Sequence, residues 1–168
     1  MAYKVAVVMG SDSDWLTMEQ CVLLLREWGI DCDVEIMSAH RTPGRVHEFA
    51  RQAAENGYGV IIAAAGLAAA LAGSIAAATT LPVIGVPVAS GPLQGIDALL
   101  STVQMPPGVP VATMGIGPMG ARNAACLAAQ ILGLSDPRVA EKLRVYKKEQ
   151  VASVEAKNKV LRERLSGE

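Results

Sequence analysis

Short apolar runs alternate five times with segments of helical periodicity, and this alternation restricts the folds open to the chain more than any other feature. Lys4-Val5-Ala6-Val7-Val8-Met9 is a β-branched run closed by Gly10, as expected of a strand covered on both faces of a sheet. From Ser13 to about Trp28, the apolar residues Trp15, Met18, Val22 and Leu25 recur three or four positions apart, and Gly29 follows as a helix stop. The cycle repeats. Strands are predicted over 31–37, 60–65, 82–88 and 109–114. Helices are predicted over 43–56, 67–78, 96–103 and 118–132, the first with Thr42 as N-cap and Pro43 at its first position. Strand-helix alternation of this kind requires parallel strands joined by right-handed crossovers, hence a three-layer, doubly wound α/β sheet of flavodoxin-like or Rossmann-like type. Such sheets bind ligands beyond the carboxyl ends of their strands.

With 168 residues and 51% hydrophobic composition, one domain is expected, with a core over about 4–133. The segment 136–166 opens with Asp136-Pro137, a cap and first-turn pair. It then places Val139, Leu143, Tyr146, Val151, Val154 and Leu161 among alternating charges, predicting a long amphipathic C-terminal helix, continuous or broken. A domain of this size does not cover such a stripe alone, so the tail is expected to pack on a neighbouring subunit of a homo-oligomer.

A net charge of -1 without a basic run before the tail argues against nucleic acid and for a small-molecule partner. Cys21, Cys32 and Cys126 show neither metal-ligand spacing nor a disulfide framework, and read as inert buried thiols in a reducing compartment. The N-terminus runs straight into the first strand without the parts of a secretory leader, and a cytoplasmic protein is expected. The Ala-rich stretch 60–78 has too low a hydropathy for a membrane span and reads as a strand followed by a tightly packed helix.

Three strand-end loops carry the candidate chemistry. In Gly10-Ser11-Asp12-Ser13-Asp14 a glycine allows a sharp turn, and hydroxyls with helix N-terminal amides suit an anion such as phosphate. Asp14 would repel phosphate; it accepts a bond from a ribose hydroxyl or caps its own helix, and capping alone also explains such a cluster. In Ser38-Ala39-His40-Arg41-Thr42-Pro43, Arg41 offers a permanent fork of donors and His40 a proton carrier near neutral pH. His47, inside a predicted helix, reads as a solvated or packing residue. The third loop, from Ala63 through Gly66, Ala69, Ala70 and Leu71 to Gly73, has no acid-base side chain. Its small residues line a dry pocket, with amides near Gly66 for a carboxylate, or simply allow close strand-helix packing. Two further ordered loops, 90–95 and 104–108, are placed to close over a ligand. No Walker pattern, complete dinucleotide fingerprint or metal-ligand cluster occurs. The residues thus reach as far as cofactor-free proton transfer on a phosphorylated metabolite.

Loops 10–14, 38–43 and 103–113 together closely resemble the N5-carboxyaminoimidazole ribonucleotide mutase family, the bacterial mutase class of phosphoribosylaminoimidazole carboxylase. The resemblance runs in one register from about Val5 to Leu132. It implies a step of de novo purine synthesis in which the carbamate of N5-carboxyaminoimidazole ribonucleotide becomes the C4 carboxylate, with no metal or ATP and with octameric assembly. It also implies that His40 is the acid-base residue, that Ser11, Asp14 and Arg41 hold phosphate and ribose with Ser13, Gly10 and Ser38 close by, and that Gly66, Ala69, Ala70 and Leu71 enclose CO2. Most relatives carry histidine where this chain has Ala70, and glycine where it has Ala64 and Leu67, so the pocket is altered and one imidazole is left for both proton transfers. The related carboxylase, which takes free CO2 and aminoimidazole ribonucleotide, typically has lysine after the loop-two histidine; Arg41 and Met105-Pro106 favour the mutase. A nucleotide-binding module without turnover is the reading from another class.

Overall fold

The computed structural model describes residues 3–167. Five parallel strands, β1 (Lys4–Met9), β2 (Cys32–Ile36), β3 (Tyr58–Gly66), β4 (Val83–Val88) and β5 (Ala112–Thr113), form one sheet in the order β2-β1-β3-β4-β5. The connecting helices are α1 (Trp15–Glu27), α2 (Pro43–Gln52), α3 (Leu71–Ala76), α4 (Ile96–Val103) and α5 (Pro118–Gly133). A sixth, α6 (Pro137–Ser166), closes the chain. The doubly wound fold expected from the alternation is the one observed.

Period-two alternation along the strands builds two cores. Val5, Val7 and Met9 of β1, with Val60 and Ile62 of β3, face α1 and α5, where Met18, Leu25, Ala124 and Ala128 are fully buried. Ala6 and Val8, with Ile61 and Ala63, face α2 and α3 through Val46, Ala50, Leu71 and Ile75. Each fully buried aliphatic side chain contributes roughly 1.5–3 kcal/mol, so burial on both faces holds the sheet between its helix layers. At the amino ends of the strands, Lys4 Nζ (2.6 Å) and the Tyr58 hydroxyl (2.7 Å) both donate to the Asp33 carboxylate and tie β1, β2 and β3 together. Burial and that carboxylate push the Tyr58 phenol up to about 12.

Several boundaries differ from the sequence reading for identifiable reasons. The first helix starts as a 3-10 turn over Asp12–Asp14 capped by Ser11. The second stops at Gln52, because residues 53–57 fold into turns ended by Gly57 at φ 82°. Thr42 stands at the α2 N-cap position but does not cap the helix; its hydroxyl accepts from the Ser38 amide (3.0 Å) and donates to the Ser38 carbonyl (3.1 Å), bracing loop two. β3 continues to Gly66, and α3 begins only at Leu71, because Leu67 takes the left-handed conformation at φ 56°. β5 contracts to two residues; Pro110 offers no amide to an edge ladder.

The stretch 60–78 divides into β3 and α3, and among the described residues no helix is long and apolar enough to cross a membrane. All three cysteines are free, but only Cys21 is buried, its thiol pushed up to about 12 by desolvation; Cys32 and Cys126 are partly buried against the core and shifted upward by the same cause.

α6 is continuous. Asp136 caps it by accepting from the Arg138 amide at 2.9 Å, and Trp28 and Tyr146 meet edge to face at 5.0 Å to dock its first part against α1 and α5. From 147 to 166 every residue is exposed, with Leu165 at 79%. At about 1.5 Å per residue, roughly 30 Å of helix projects from the domain.

Glycine packing supplies a paired test. A Cβ on Gly120 of α5 would collide with the Gly115 carbonyl oxygen, whereas a Cβ on Gly44 of α2 meets nothing within 4 Å. Gly120→Ala is expected to lower the urea midpoint, by about 1–3 kcal/mol of stability, while Gly44→Ala raises it by about 0.4–1 kcal/mol.

Candidate active site

The carboxyl ends of β1, β2, β3 and β4 surround a cavity of about 570 Å³. All eleven residues expected at the site line it: Gly10, Ser11, Ser13 and Asp14 from loop one, Ser38, His40 and Arg41 from loop two, and Gly66, Ala69, Ala70 and Leu71 from loop three. Ala39, Ala65, Leu67 and Ala68 fill in between, and Ser90, beyond β4, completes the wall. Loop 104–108 does not line the cavity within this chain.

Parallel strands side by side bring loops one and two together, and hydrogen bonds fix them. Arg41 Nη2 donates to the Gly10 carbonyl at 2.9 Å, and the Arg41 amide donates to Ser38 Oγ at 3.2 Å. Ser11 Oγ donates to the Asp12 carboxylate at 2.9 Å and accepts from the Ser13 hydroxyl at 3.0 Å. The Ser11 hydroxyl, aided by the Ser13 amide and more weakly by the Arg41 charge, holds the Asp12 carboxyl below its usual range. The Arg41 guanidinium makes no ion pair among the described residues and keeps most of its donors for an anion.

Gly10 is not in the left-handed region, and a Cβ there would make only ordinary contacts at 3.6 Å or more, so the turn itself does not demand glycine. Asp14 takes the capping alternative: its Oδ2 accepts from the Ser11 amide at 3.1 Å, closing a reciprocal capping box. The residue is only 4% exposed, and burial pushes its carboxyl upward against the opposing pull of the Ser11 and Gly10 amides.

His40 is exposed to the cavity and its ring makes no hydrogen bond to the described residues, so both nitrogens are open to a ligand. His47 lies on the exposed side of α2, as a solvated residue would. Opposite His40, the third loop presents only methyl groups, Leu67, Leu71 and backbone. The cavity is therefore divided: hydroxyls and a guanidinium on the β1–β2 side, a small-residue apolar wall on the β3 side. Among the described residues no group of three or more His, Cys, Asp or Glu side chains gathers to hold a metal ion.

Comparison with known proteins places this geometry. The family model of AIR carboxylase matches residues 4–153, from β1 into the exposed part of α6. The chain belongs to the AIR carboxylase family. Relatives named N5-carboxyaminoimidazole ribonucleotide mutase include one from Pyrococcus abyssi, 53% identical over 87% of this chain and 83% of its own. Another, from Escherichia coli K12, is 52% identical over 90% of this chain and 89% of its own. One from Mycobacterium tuberculosis is 51% identical and spans 98% of this chain, tail included, and 92% of its own. The crystal structure of Treponema denticola PurE superposes with a TM-score of 0.84 at 28% identity over 94% of this chain and 97% of that one. All four loops that line the cavity lie inside the AIR carboxylase match.

Ser90 opens loop 90–95, which was expected to close over a ligand, but the serine itself was given no role. It sits two positions past β4, so the rule that ligands lie beyond strand carboxyl ends was the signal available.

The raised Asp14 carboxyl gives a pH test. A carboxyl whose folded-state pKa lies above its unfolded value adds stability at low pH, and this is lost as pH rises through the folded value. Melting temperatures of wild type and Asp14→Asn should therefore diverge as pH rises above about 4, the unperturbed carboxyl range, with wild type losing ground; parallel profiles would show that Asp14 carries no such penalty.

Proposed function

We propose that this protein is an N5-carboxyaminoimidazole ribonucleotide mutase, an isomerase of de novo purine synthesis that moves a carboxyl group from the exocyclic nitrogen to ring carbon C4. The observation that carries the reading is the divided cavity: an imidazole without hydrogen-bond partners among the described residues lines it beside a guanidinium and hydroxyls, with an apolar third loop on the other side, in a chain about half identical to mutases along most of its length.

In this reading Arg41, Ser11 and Ser13 take the phosphate, Asp14 and Ser38 border the ribose, and the aminoimidazole extends toward the third loop. His40 protonates the carbamate nitrogen as the N–C bond breaks and CO2 departs. The small residues Gly66, Ala69 and Ala70, with Leu71, keep the CO2 beside the ring, where it adds to C4. His40, now neutral, removes the C4 proton and returns to its starting state, so the cycle is balanced without an external acid or base. Ala70 offers no second imidazole, which leaves both transfers to His40.

Incubation of the purified protein with the carbamate, without ATP or added bicarbonate, is expected to give the C4 carboxylate. His40→Asn should lower kcat by about 10²- to 10⁴-fold. Product only from aminoimidazole ribonucleotide with bicarbonate would establish the carboxylase instead. Binding without conversion of either would establish a nucleotide-binding module.

The same proposal includes a cytoplasmic homo-octamer in which the projecting part of α6 packs on neighbouring subunits. Its exposed Val151, Val154, Leu161 and Leu165 support that assembly, as do the exposed apolar residues of α4, Ile96, Leu100 and Val103. Light scattering of the full chain should give about eight times the 17.5 kDa protomer mass. Truncation after Tyr146 should give smaller species; an unchanged mass would show that the tail is not part of the assembly.

A further inference from the structure

Sequence motifs and mechanism leave one polar group of the cavity unused. Ser90 stands on β4's side, across β3 from the loop that carries His40 and Arg41. Three strand spacings separate β2 from β4, about 14 Å of sheet. A ligand whose phosphate is held at loops one and two therefore turns its far end toward Ser90. The Ser90 hydroxyl makes no side-chain hydrogen bond among the described residues, unlike Ser11, Ser13 and Ser38, which are tied into their own loops.

The surrounding backbone is shaped to put it there. A Cβ on Gly66 would collide with Ser90 Oγ and come within 2.8 Å of Ser90 Cβ, so the serine occupies the space that glycine vacates. One residue on, Leu67 holds φ 56°, a conformation that costs a residue with a Cβ of order 1 kcal/mol. Its Cδ2 packs where a Cβ on Gly91 would be, 2.7 Å away, and Gly91 itself has φ +65°. The loops after β3 and β4 are thus keyed together at two successive residue pairs, Gly66 with Ser90 and Leu67 with Gly91.

We propose that Ser90 is a substrate-binding residue, donating its hydroxyl to the carboxyl group at the non-phosphate end of the ligand, with Gly66 as the positioning residue that admits it. The proposal rests on the mutase reading and deepens it. The apolar third loop supplies no side-chain donor, and a carboxylate brought against it loses water that something must replace. Ser90 is the side chain on that wall able to replace it, in the carbamate before transfer and in the C4 carboxylate after it.

The test separates the two ends of the ligand. Ser90→Ala is expected to lower kcat/KM for the carbamate substrate by about ten- to a hundredfold, the effect of losing one hydrogen bond to a charged group. The same variant should bind ribose 5-phosphate, which lacks the carboxyl end, within twofold of wild type by calorimetry, whereas Arg41→Ala should lose that binding. Gly66→Ala, which displaces the hydroxyl without removing it, should repeat the Ser90→Ala pattern. Unchanged kcat/KM in Ser90→Ala overturns the assignment, as does an equal loss of ribose 5-phosphate affinity, which would mean that Ser90 only supports the cavity's shape. Wild-type protein that binds ribose 5-phosphate but leaves the carbamate unconverted overturns the mutase reading, and this assignment with it.

Discussion

β3 is hydrogen-bonded along both edges, to β1 from Lys4 and Tyr58 onward and to β4 from Ile61 and Val83 onward. The Gly10 amide extends the first ladder by donating to the Ala64 carbonyl at 3.0 Å, just where loop one leaves the sheet. Because the strand is covered on both faces by alternating side chains, a shift of one residue would exchange the two cores, and its register is fixed. The four loops that line the cavity therefore leave the sheet at set heights and spacings, and every contact between them inherits that register. Arg41 reaching the Gly10 carbonyl and Ser90 filling the space beside Gly66 are both distances between adjacent strands before they are properties of side chains.

The division of the cavity follows from residue size as much as from charge. Each loop spends its hydroxyls internally, Ser13 on Ser11 and Thr42 on Ser38, while Arg41 joins the two loops through the Gly10 carbonyl and the buried Asp14 carboxyl is occupied with a backbone amide. The third loop is built from residues too small to fill the space over the sheet, so a volume bounded by methyl groups remains. A transient apolar molecule released there meets no donor or acceptor that would draw water after it. Polar anchoring at one end and dry confinement at the other are what a reaction needs when it must detach a small neutral fragment and reattach it two atoms away.

Much of this was legible in the sequence, because the strands are uniformly apolar and each ends in a loop with its own composition. His40, Arg41 and Ser11 were found by residue chemistry at strand ends, and the common register of loops 10–14, 38–43 and 103–113 carried the family resemblance. Less legible was anything decided by contacts between loops. The start of α3 was set four residues too early because Leu67 and the alanines after it have ordinary helix propensity, while packing against Gly91 forces Leu67 into a left-handed turn. Thr42 carries the signature of an N-cap, yet Ser38 captures its hydroxyl first. Ser90 went unassigned for the same reason: its importance lies in the space left by Gly66, twenty-four positions earlier, and no local pattern records that vacancy. β5 shortened because an edge strand with Pro110 at its entrance has few amides to pair.

The projecting part of α6 carries a thermodynamic consequence of its own. Twenty residues without a tertiary partner resemble a free peptide, and isolated helices of that length are marginal in water. Side-chain pairs along it, such as Lys159 with Glu163 at 3.8 Å, add only a few tenths of a kcal/mol each. In the proposed octamer, the neighbouring surface that covers Val151, Val154, Leu161 and Leu165 would also supply the free energy that keeps this segment wound. In such an assembly, helix content in the tail and protomer concentration would be linked variables: dilution would unwind the last turns before it disturbed the sheet, and the circular dichroism of the intact protein would gauge its association.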